Sequence, residues 1–434
     1  MGKVSLLSLG CPKNLVDSEN LLRKLREKGI CYSSSPDESD IIMINTCGFI
    51  ESAKKESIEE ILKLSKLKEK YNGKKLVVFG CLAKRYGNEM KKEIPEIDAM
   101  WGVGEDEKIV EYCRKITEKK RQIDSRVEKM SYSFSILPSI SYSYLKIAEG
   151  CDRGCSYCVI PDIRGRYRSR NPEHILKEAE EMLASGTKEL ILIAQDITAY
   201  GKDIKGYNLS RLIKDIASIK GDFRIRLLYL YPTSINDELI ETIGADEKVC
   251  KYIDMPLQHS EDRILKLMRR GGSREYFERL ISKIRDVIPG VTLRTTFIAG
   301  FPGETEKEFN EMVKFIRKVR FDRLGVFTYS REDGSPAYKM KGQIPGYIKR
   351  ERHNRIMEIQ SAISLEKNKR LIGRSFRVLV DEVEDNIAIA RLYSQAPDID
   401  GVVLINDDDM EKGGFVTVKI TGAYDYDLKG IIEK

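Results

Sequence analysis

Several things are missing from this 434-residue sequence. No apolar run reaches the roughly 18 residues that a membrane helix needs, so no membrane span is expected. Met1-Gly2-Lys3 runs straight into VSLLSLG, without the long apolar stretch and small-residue cleavage site of a secretory leader, so a cytoplasmic chain is expected. Nine cysteines are too few for a disulfide scaffold of this length. In a cytosolic chain a cysteine cluster points instead to metal binding or redox chemistry. No Ser-His-Asp order and no phosphate-cradling G-x-x-x-x-G-K pattern stands out, which leaves hydrolase and nucleotidase readings without a motif. Long low-complexity tracts and internal repeats are absent as well.

The composition that remains is that of a folded, charge-rich protein, with 41% hydrophobic and 33% charged residues. Its net charge of +7 is unevenly spread. Residues 371–434 hold seven Lys and Arg against thirteen Asp and Glu, a balance of −6, so the first 370 residues carry +13. A basic body thus precedes an acidic tail domain.

Periodicity divides the chain into three domains and a linker. Over residues 1–125 short apolar runs (VSLLSLG, IIMINT, KLVVFG) alternate with amphipathic helical stretches, which predicts a doubly wound parallel sheet. Residues 126–143 lie in a serine-rich stretch and read as a linker. Residues 144–370 hold six candidate strands, YLKIAEG, ELILIAQD, FRIRLLYL, YIDMPLQ, TLRTTFIAG and RLGVFTYS, separated by helices. Six such units predict a partial (βα)6 barrel, short of the eight that close a full one. Asn171-Pro172 marks a helix start and Gly186 its end. Residues 371–434 read as short alternating strands of a small antiparallel β-barrel.

Two constellations carry chemistry. Cys151, Cys155 and Cys158 follow the spacing C-x3-C-x2-C at the end of the first barrel strand. A structural zinc site wants four ligands, and His174, at a helix start, is poorly placed to be the fourth. Three thiolates instead suit a 4Fe-4S cubane with one iron left open. An open iron can chelate the amino and carboxylate groups of S-adenosylmethionine, whose sulfonium is then cleaved by one electron to a 5′-deoxyadenosyl radical. Cys11, Cys47 and Cys81 are far apart in sequence, but each closes an apolar strand: LLSLGC, IIMINTC and LVVFGC. Ends of parallel strands at one sheet edge face one crevice, so these thiols can converge on a second cluster that handles sulfur. Cys31, Cys113 and Cys250 show no such pattern and are expected to pack as small hydrophobes.

With these motifs the chain resembles the radical SAM superfamily and, over its whole length, the methylthiotransferase family. The matching stretches are GCPKNLVDSE, INTCGFI, VFGC, EGCDRGCSYC, DMPLQH, IAGFPGET and the terminal strands. The resemblance implies an N-terminal cluster domain, a central radical SAM domain and a C-terminal TRAM barrel. It also implies two 4Fe-4S clusters and two S-adenosylmethionines per turnover, one giving a methyl group to sulfur and one the radical. Tyr157, before the third clustered cysteine, is implied to lie near the adenine. The stretch Pro12 to Glu19 is similar to the branch that modifies an aspartate of small-subunit ribosomal protein twelve (RimO type). The alternative is the branch that modifies a tRNA adenosine (MiaB type), which typically has Gln-Met-Asn after the first cysteine. The acidic tail domain favours a basic protein over RNA. An electron donor such as flavodoxin or ferredoxin, a sulfur source and a monomeric state complete these expectations.

Around the cofactor, Gln195 and Asp196 end the second barrel strand, where ribose or amino-group ligands are expected, and Gly300 and Pro302 shape a turn beside it. Arg164, Arg166, Arg168 and Arg170 are read either as a clamp on carboxylates or as a solvated basic loop. His259 is a cavity contact or a structural hydrogen-bonder, and Ser260, where the family commonly has glycine, puts its loop's backbone freedom in question. The sequence identifies no catalytic side chain beyond the cluster ligands. A non-catalytic iron–sulfur RNA-binding module is the rival from another class.

Overall fold

The computed structural model describes residues 2–70, 73–123, 141–406 and 410–433. Most of the expected linker, and the acidic run Asp407 to Asp409, lie outside them.

The N-terminal domain is a five-stranded parallel sheet of β1 (Lys3–Ser8), β2 (Cys31–Tyr32), β3 (Ile41–Thr46), β4 (Lys75–Gly80) and β5 (Ala99–Trp101), in the order β2-β1-β3-β4-β5. Helices α1 (Pro12–Glu27), α2 (Glu51–Lys70), α3 (Cys81–Glu93) and α4 (Asp106–Ile123) connect them. Alternation along β3 sends Ile41 and Met43 into a core with Val77 and Phe79, and Ile42 and Ile44 into another with Leu76 and Val78. The doubly wound sheet is thereby buried on both faces.

In the central domain β6 (Tyr142–Lys146) is followed by a two-stranded ribbon, β7 (Ala148–Glu149) and β8 (Arg168–Ser169), which brackets the cysteine loop and α5 (Ile160–Arg164). Strands β9 (Glu189–Ile193) and β10 (Arg224–Leu227) pair with β6 in one parallel sheet; β11 (Tyr252–Asp254), β12 (Thr292–Ala299) and β13 (Arg323–Thr328) form another. A bridge between Ile225 and Val249 joins the two, giving six parallel strands in chain order, the partial barrel expected. Its helices are α6 (Pro172–Ala184), α7 (Leu209–Ala217), α8 (Asp237–Ala245), α9 (Asp262–Leu267), α10 (Arg274–Val287), α11 (Glu306–Val319) and α12 (Gly346–Lys369). Asn171 caps α6 through the N–H groups of Glu173 and His174, and Thr305 with Glu308 forms a capping box on α11.

Five strands close the C-terminal barrel in the order β14-β15-β16-β18-β17: β14 (Ser375–Glu384), β15 (Ile387–Arg391), β16 (Val403–Asn406), β17 (Phe415–Ala423) and β18 (Leu428–Ile432). All its pairs are antiparallel except the β16–β18 seam. Part of its acidity is structural. Asp381 pairs with Arg391, Asp398 accepts from the Tyr142 and Tyr144 hydroxyls, and Asp400 accepts from the Tyr252 hydroxyl. Arg391 also joins Arg224 and Arg226 around the buried Glu189, tying this barrel to the central one. Among the described residues no helix is long and apolar enough to cross a membrane.

Candidate active site

The first trio of thiols forms at the carboxyl edge of the N-terminal sheet. A strand order of this kind opens a crevice at the ends of β1 and β3. Cys11 sits at the N-cap of α1, Cys47 follows β3, and Cys81 opens α3 directly after β4. Gly10, at φ +90°, lets the first turn close on the second: a Cβ there would stand 2.6 Å from the Cys47 Cβ and 3.0 Å from its Sγ. Asn14 is the hub. Its amide nitrogen donates to the carbonyls of Leu9 (3.0 Å) and Thr46 (3.2 Å), which ties the ends of β1 and β3 together. Its side-chain oxygen accepts from the Cys81 thiol at 3.6 Å. Burial pushes Cys81 up to about 12, Arg164 opposes this, and Cys11 and Cys47 add to it. Cys47 is raised by burial and by Cys11, against the Phe49 N–H and Arg164.

The second trio is local. Cys151, Cys155 and Cys158 lie on the loop between β7 and α5. Ser156 pins that loop, with its N–H on the Met268 carbonyl (2.9 Å) and its hydroxyl on that of Leu267 (2.7 Å). The Ile160 N–H donates to the Cys158 sulfur at 3.4 Å, and the Arg270 guanidinium lies 3.8 Å from the Cys155 sulfur. Burial carries Cys158 up to about 12, with Cys155 and Cys151 adding, and it raises Cys151 too.

All nine cysteines are free thiols. Among the described residues no three His, Cys, Asp or Glu side chains close on a single metal ion. A cubane attaches its thiolates to separate irons, so it takes a wider set than one ion does. Two groups of three thiols, with Arg164 beside Cys81 and Arg270 beside Cys155, are donor sets of the kind such a cluster takes.

The trios are linked. Arg164, buried, donates to Asn14 Oδ1 (2.6 Å), Asp17 Oδ2 (3.0 Å) and Glu149 Oε1 (2.9 Å), and its Nη2 lies 3.6 Å from the Cys81 sulfur. Lys146 bridges Asp17 and Glu149 from the other side. Burial works against ionisation of Glu149, but Lys146 and Arg164 hold it down to about 2. An apolar group of Phe49, Cys81, Val103, Val159 and Ile163 seals the same seam. A cavity of about 380 Å³ opens beside it, lined by Asn45, Gly80, Lys146, Glu149 and Arg164 among others. Farther out Glu332 holds Lys54 and Arg85 at 3.0 and 2.9 Å.

The other expected site residues divide between these surroundings. Gln195 donates to Glu149 at 2.8 Å and leaves its buried carbonyl oxygen unpaired. Asp196 accepts from Arg153 at 2.6 Å and faces a cavity of about 310 Å³ beside Cys151. Tyr157 packs against the apolar group that contains Phe301, so it neighbours the turn of Gly300 and Pro302. That turn requires its glycine: φ at Gly300 is +76°, and a Cβ would meet the Lys349 side chain at 2.5 Å. Glu304 braces it, accepting from the Gly300 and Phe301 N–H groups and from Arg352.

The basic run does not act as one unit. Arg164 joins the interdomain network, Arg170 donates to the Lys146 carbonyl and to Glu178, and Arg166 and Arg168 are exposed. His259 accepts on Nδ1 from the Glu261 N–H, and its buried Nε2 lies 3.6 Å from Glu304 without a hydrogen bond. The left-handed residue of that loop is Gln258, at φ +74°, so serine at 260 imposes no backbone strain. Cys113 and Cys250 are buried in apolar cores, and Cys31 lies on β2.

Sequence reasoning did not single out Glu149 or Arg270, and it read Lys13, Asn14 and Asp17 only as part of the stretch Pro12 to Glu19 that marks the branch. The buried Nζ of Lys13 lies 3.0 Å from the centroid of the Tyr229 ring. Asn14 and Asp17 lie in the GCPKNLVDSE stretch and Glu149 directly precedes GCDRGC, but nothing local signals that they meet.

Three family profiles match: the uncharacterized protein family UPF0004 over residues 3–102, the radical SAM superfamily over 145–316 and the TRAM domain over 372–432. A ribosomal protein uS12 methylthiotransferase RimO of Thermodesulfovibrio yellowstonii is 54% identical, with 100% of both chains covered. One from a Thermoanaerobacter species is 48% identical over 99% of this chain and 100% of its own. Among solved structures, the radical S-adenosylmethionine methyltransferase TsrM of Kitasatospora setae superposes with a TM-score of 0.57 at 14% identity, over 90% of this chain and 81% of that one. At such identity the likeness concerns the fold alone.

Proposed function

The chain belongs to the RimO family of radical SAM methylthiotransferases, and from that premise we propose that it places a methylthio group on the β-carbon of an aspartate in ribosomal protein uS12. The enzyme class and the use of a 4Fe-4S cluster with S-adenosylmethionine follow from the family. That there are two clusters is our reading. Cys151, Cys155 and Cys158 hold the one that meets S-adenosylmethionine, and Cys11, Cys47 and Cys81 hold the one that carries sulfur. The observation that supports this most is the buried network of Asn14, Asp17, Arg164 and Glu149, which ties one trio to the other across the domain seam.

When bound, the cluster and S-adenosylmethionine supply one-electron chemistry that opens an otherwise inert C–H bond. The protein's own residues do the rest. The Ile160 N–H and Arg270 favour the thiolate of Cys158, and Arg270 also lies against the Cys155 sulfur. Arg164 does the same at Cys81 and, with Lys146, fixes the distance between the trios. The Phe49, Val159 and Ile163 side chains keep water from the seam. Tyr157, Gln195, Asp196, Gly300 and Pro302 are the residues that would hold S-adenosylmethionine. A cytoplasmic monomer that takes electrons from a flavodoxin or ferredoxin and sulfur from a separate source fits this chemistry.

The test is mass spectrometry of uS12 and of tRNA from cells with and without the gene. Loss of one methylthio mass from uS12 alone is expected; loss from tRNA alone would overturn the reading.

A further inference from the structure

Two segments bracket the loop of Cys151, Cys155 and Cys158, and both carry charge of one sign. Ser156 fastens them to the loop. Its N–H and hydroxyl donate to the Met268 and Leu267 carbonyls at the end of α9, and its carbonyl accepts from the Ala337 N–H (2.7 Å) in the short turn Pro336–Lys339. Ile264 and Met268 pack with Ala337 and Met340 beside Tyr157, so the two segments lie together against the cysteine loop. Residues 263–274 hold five Lys and Arg and no acid, and residues 334–350 hold four and no acid. The acids that meet them are committed. Glu308 holds Arg263, and Glu261 and Glu311 hold Arg274. Asp262 and Asp333, at the ends of the segments, accept from the N–H groups of Arg274 and Gly334. Lys266, Arg269, Lys339 and Lys341 are exposed and enter no ion pair among the described residues.

Arg269 is the most telling of the four. It stands at φ +52° just past α9, the left-handed position where a helix end usually has glycine. The chain thus presents a cation there at the cost of backbone strain. The next residue, Arg270, lies 3.8 Å from the Cys155 sulfur, so one side chain separates the exposed face from a cluster ligand. A lysine- and arginine-rich ribosomal protein is repelled by such a face, which therefore serves another partner. What the site takes from outside is one electron for each cleavage of S-adenosylmethionine, and electron transfer weakens steeply with distance. We infer that this face docks a small acidic electron carrier of the ferredoxin class, whose potentials lie toward the low end of the iron–sulfur range. The carrier gives up one electron and the site of Cys151, Cys155 and Cys158 takes it up; no bond forms or breaks. Such encounters are small in area and steered by charge. This assignment of the face rests on the function proposed above.

The test uses the full-length chain, anaerobically reconstituted, and a purified acidic ferredoxin, with binding followed by calorimetry. Wild type should bind it, and more weakly as salt rises. Lys266→Glu with Arg269→Glu, and Lys339→Glu with Lys341→Glu, should each weaken binding about tenfold or more, chiefly through the association rate. Lys91→Glu with Lys92→Glu, the same charge change at exposed positions of α3, should weaken it far less. Arg269→Gly suits the left-handed backbone, so it should melt no lower than wild type and still weaken binding severalfold. Dithionite-driven formation of 5′-deoxyadenosine should be equal in all variants, while ferredoxin-driven formation should fall with affinity. Binding indifferent to salt, equal loss in the α3 pair, or capture of a flavodoxin or of ribosomal RNA in place of ferredoxin would each overturn the inference. Should a charge-reversed pair fail to fold, Arg269→Gly decides alone. Failure of the parent reading looks different: wild type then gives no cleavage with dithionite, or uS12 goes unmodified in cells. If both occur and ferredoxin ignores this face, only the docking assignment falls.

Discussion

The two cysteine trios reach one arrangement by opposite routes. Cys151, Cys155 and Cys158 share one loop, whose own backbone sets their spacing, as in the Cys158 N–H to the Cys155 carbonyl, while Ser156 pins the loop to Leu267 and Met268. Cys11, Cys47 and Cys81 come from three separate strand ends, and tertiary structure alone assembles them. A loop keeps its spacing when the rest of the domain loosens. A site built across a sheet depends on close backbone approach at every strand end, and Gly10, Asn14 and Asn45 supply it. The strand-end trio is therefore the more fragile of the two, and its integrity reports on the fold of the first 120 residues.

The sharpest way to break the comparison is one cysteine from each side. Cys155→Ala should abolish cleavage of S-adenosylmethionine to 5′-deoxyadenosine. Cys47→Ala should leave cleavage intact and abolish methylthio transfer. Product analysis of both variants checks this, and equal loss of cleavage in the two would merge the trios into one function.

Next in size is Arg164→Met. It strands Asp17 and Glu149 with Lys146 as their one remaining cation and removes the donor near Cys81. Breaking a buried ion pair on one side costs about 3–5 kcal/mol, to be read from urea unfolding followed by tyrosine fluorescence.

Gly10→Ala sharpens the contrast in fragility. A Cβ at 2.6 Å from Cys47 and an alanine at φ +90° should displace the strand-end trio alone. Iron content should fall toward half, with 5′-deoxyadenosine formation retained.

The smallest effect concerns acid. Glu149 ionises more readily folded than unfolded, so its contribution is present above the unfolded value of 4.5 and is lost as pH falls from there toward about 2. The melting temperature should drop as the pH falls from 4.5 toward about 2, and Glu149→Gln should flatten part of that slope.

What could be read in the sequence follows the same division. C-x3-C-x2-C is a local pattern, so its meaning was open to inspection. The strand-end trio was legible because each cysteine closes an apolar run and parallel strands share an edge. The Asn171-Pro172 cap was legible for the same local reason. Asp17 meeting Arg164, 147 residues away, was not, since no periodicity marks a cross-domain pair. Lys13 was hidden differently: on an amphipathic helix a lysine ordinarily reads as solvated, and only tertiary packing buries it. The acidic tail domain pointed to the branch the relatives share, but part of its charge is structural, since Asp381, Asp398 and Asp400 pair with Arg391 and the tyrosine hydroxyls. Net charge counts such residues without regard to where they point.

Anaerobic iron analysis addresses the central claim most directly. Full-length protein should bind about eight irons per chain, and the variant with Cys11, Cys47 and Cys81 all changed to alanine should bind about four and still yield 5′-deoxyadenosine. Wild type saturating at about four irons, or a triple variant without iron, would contradict the existence of two independent clusters.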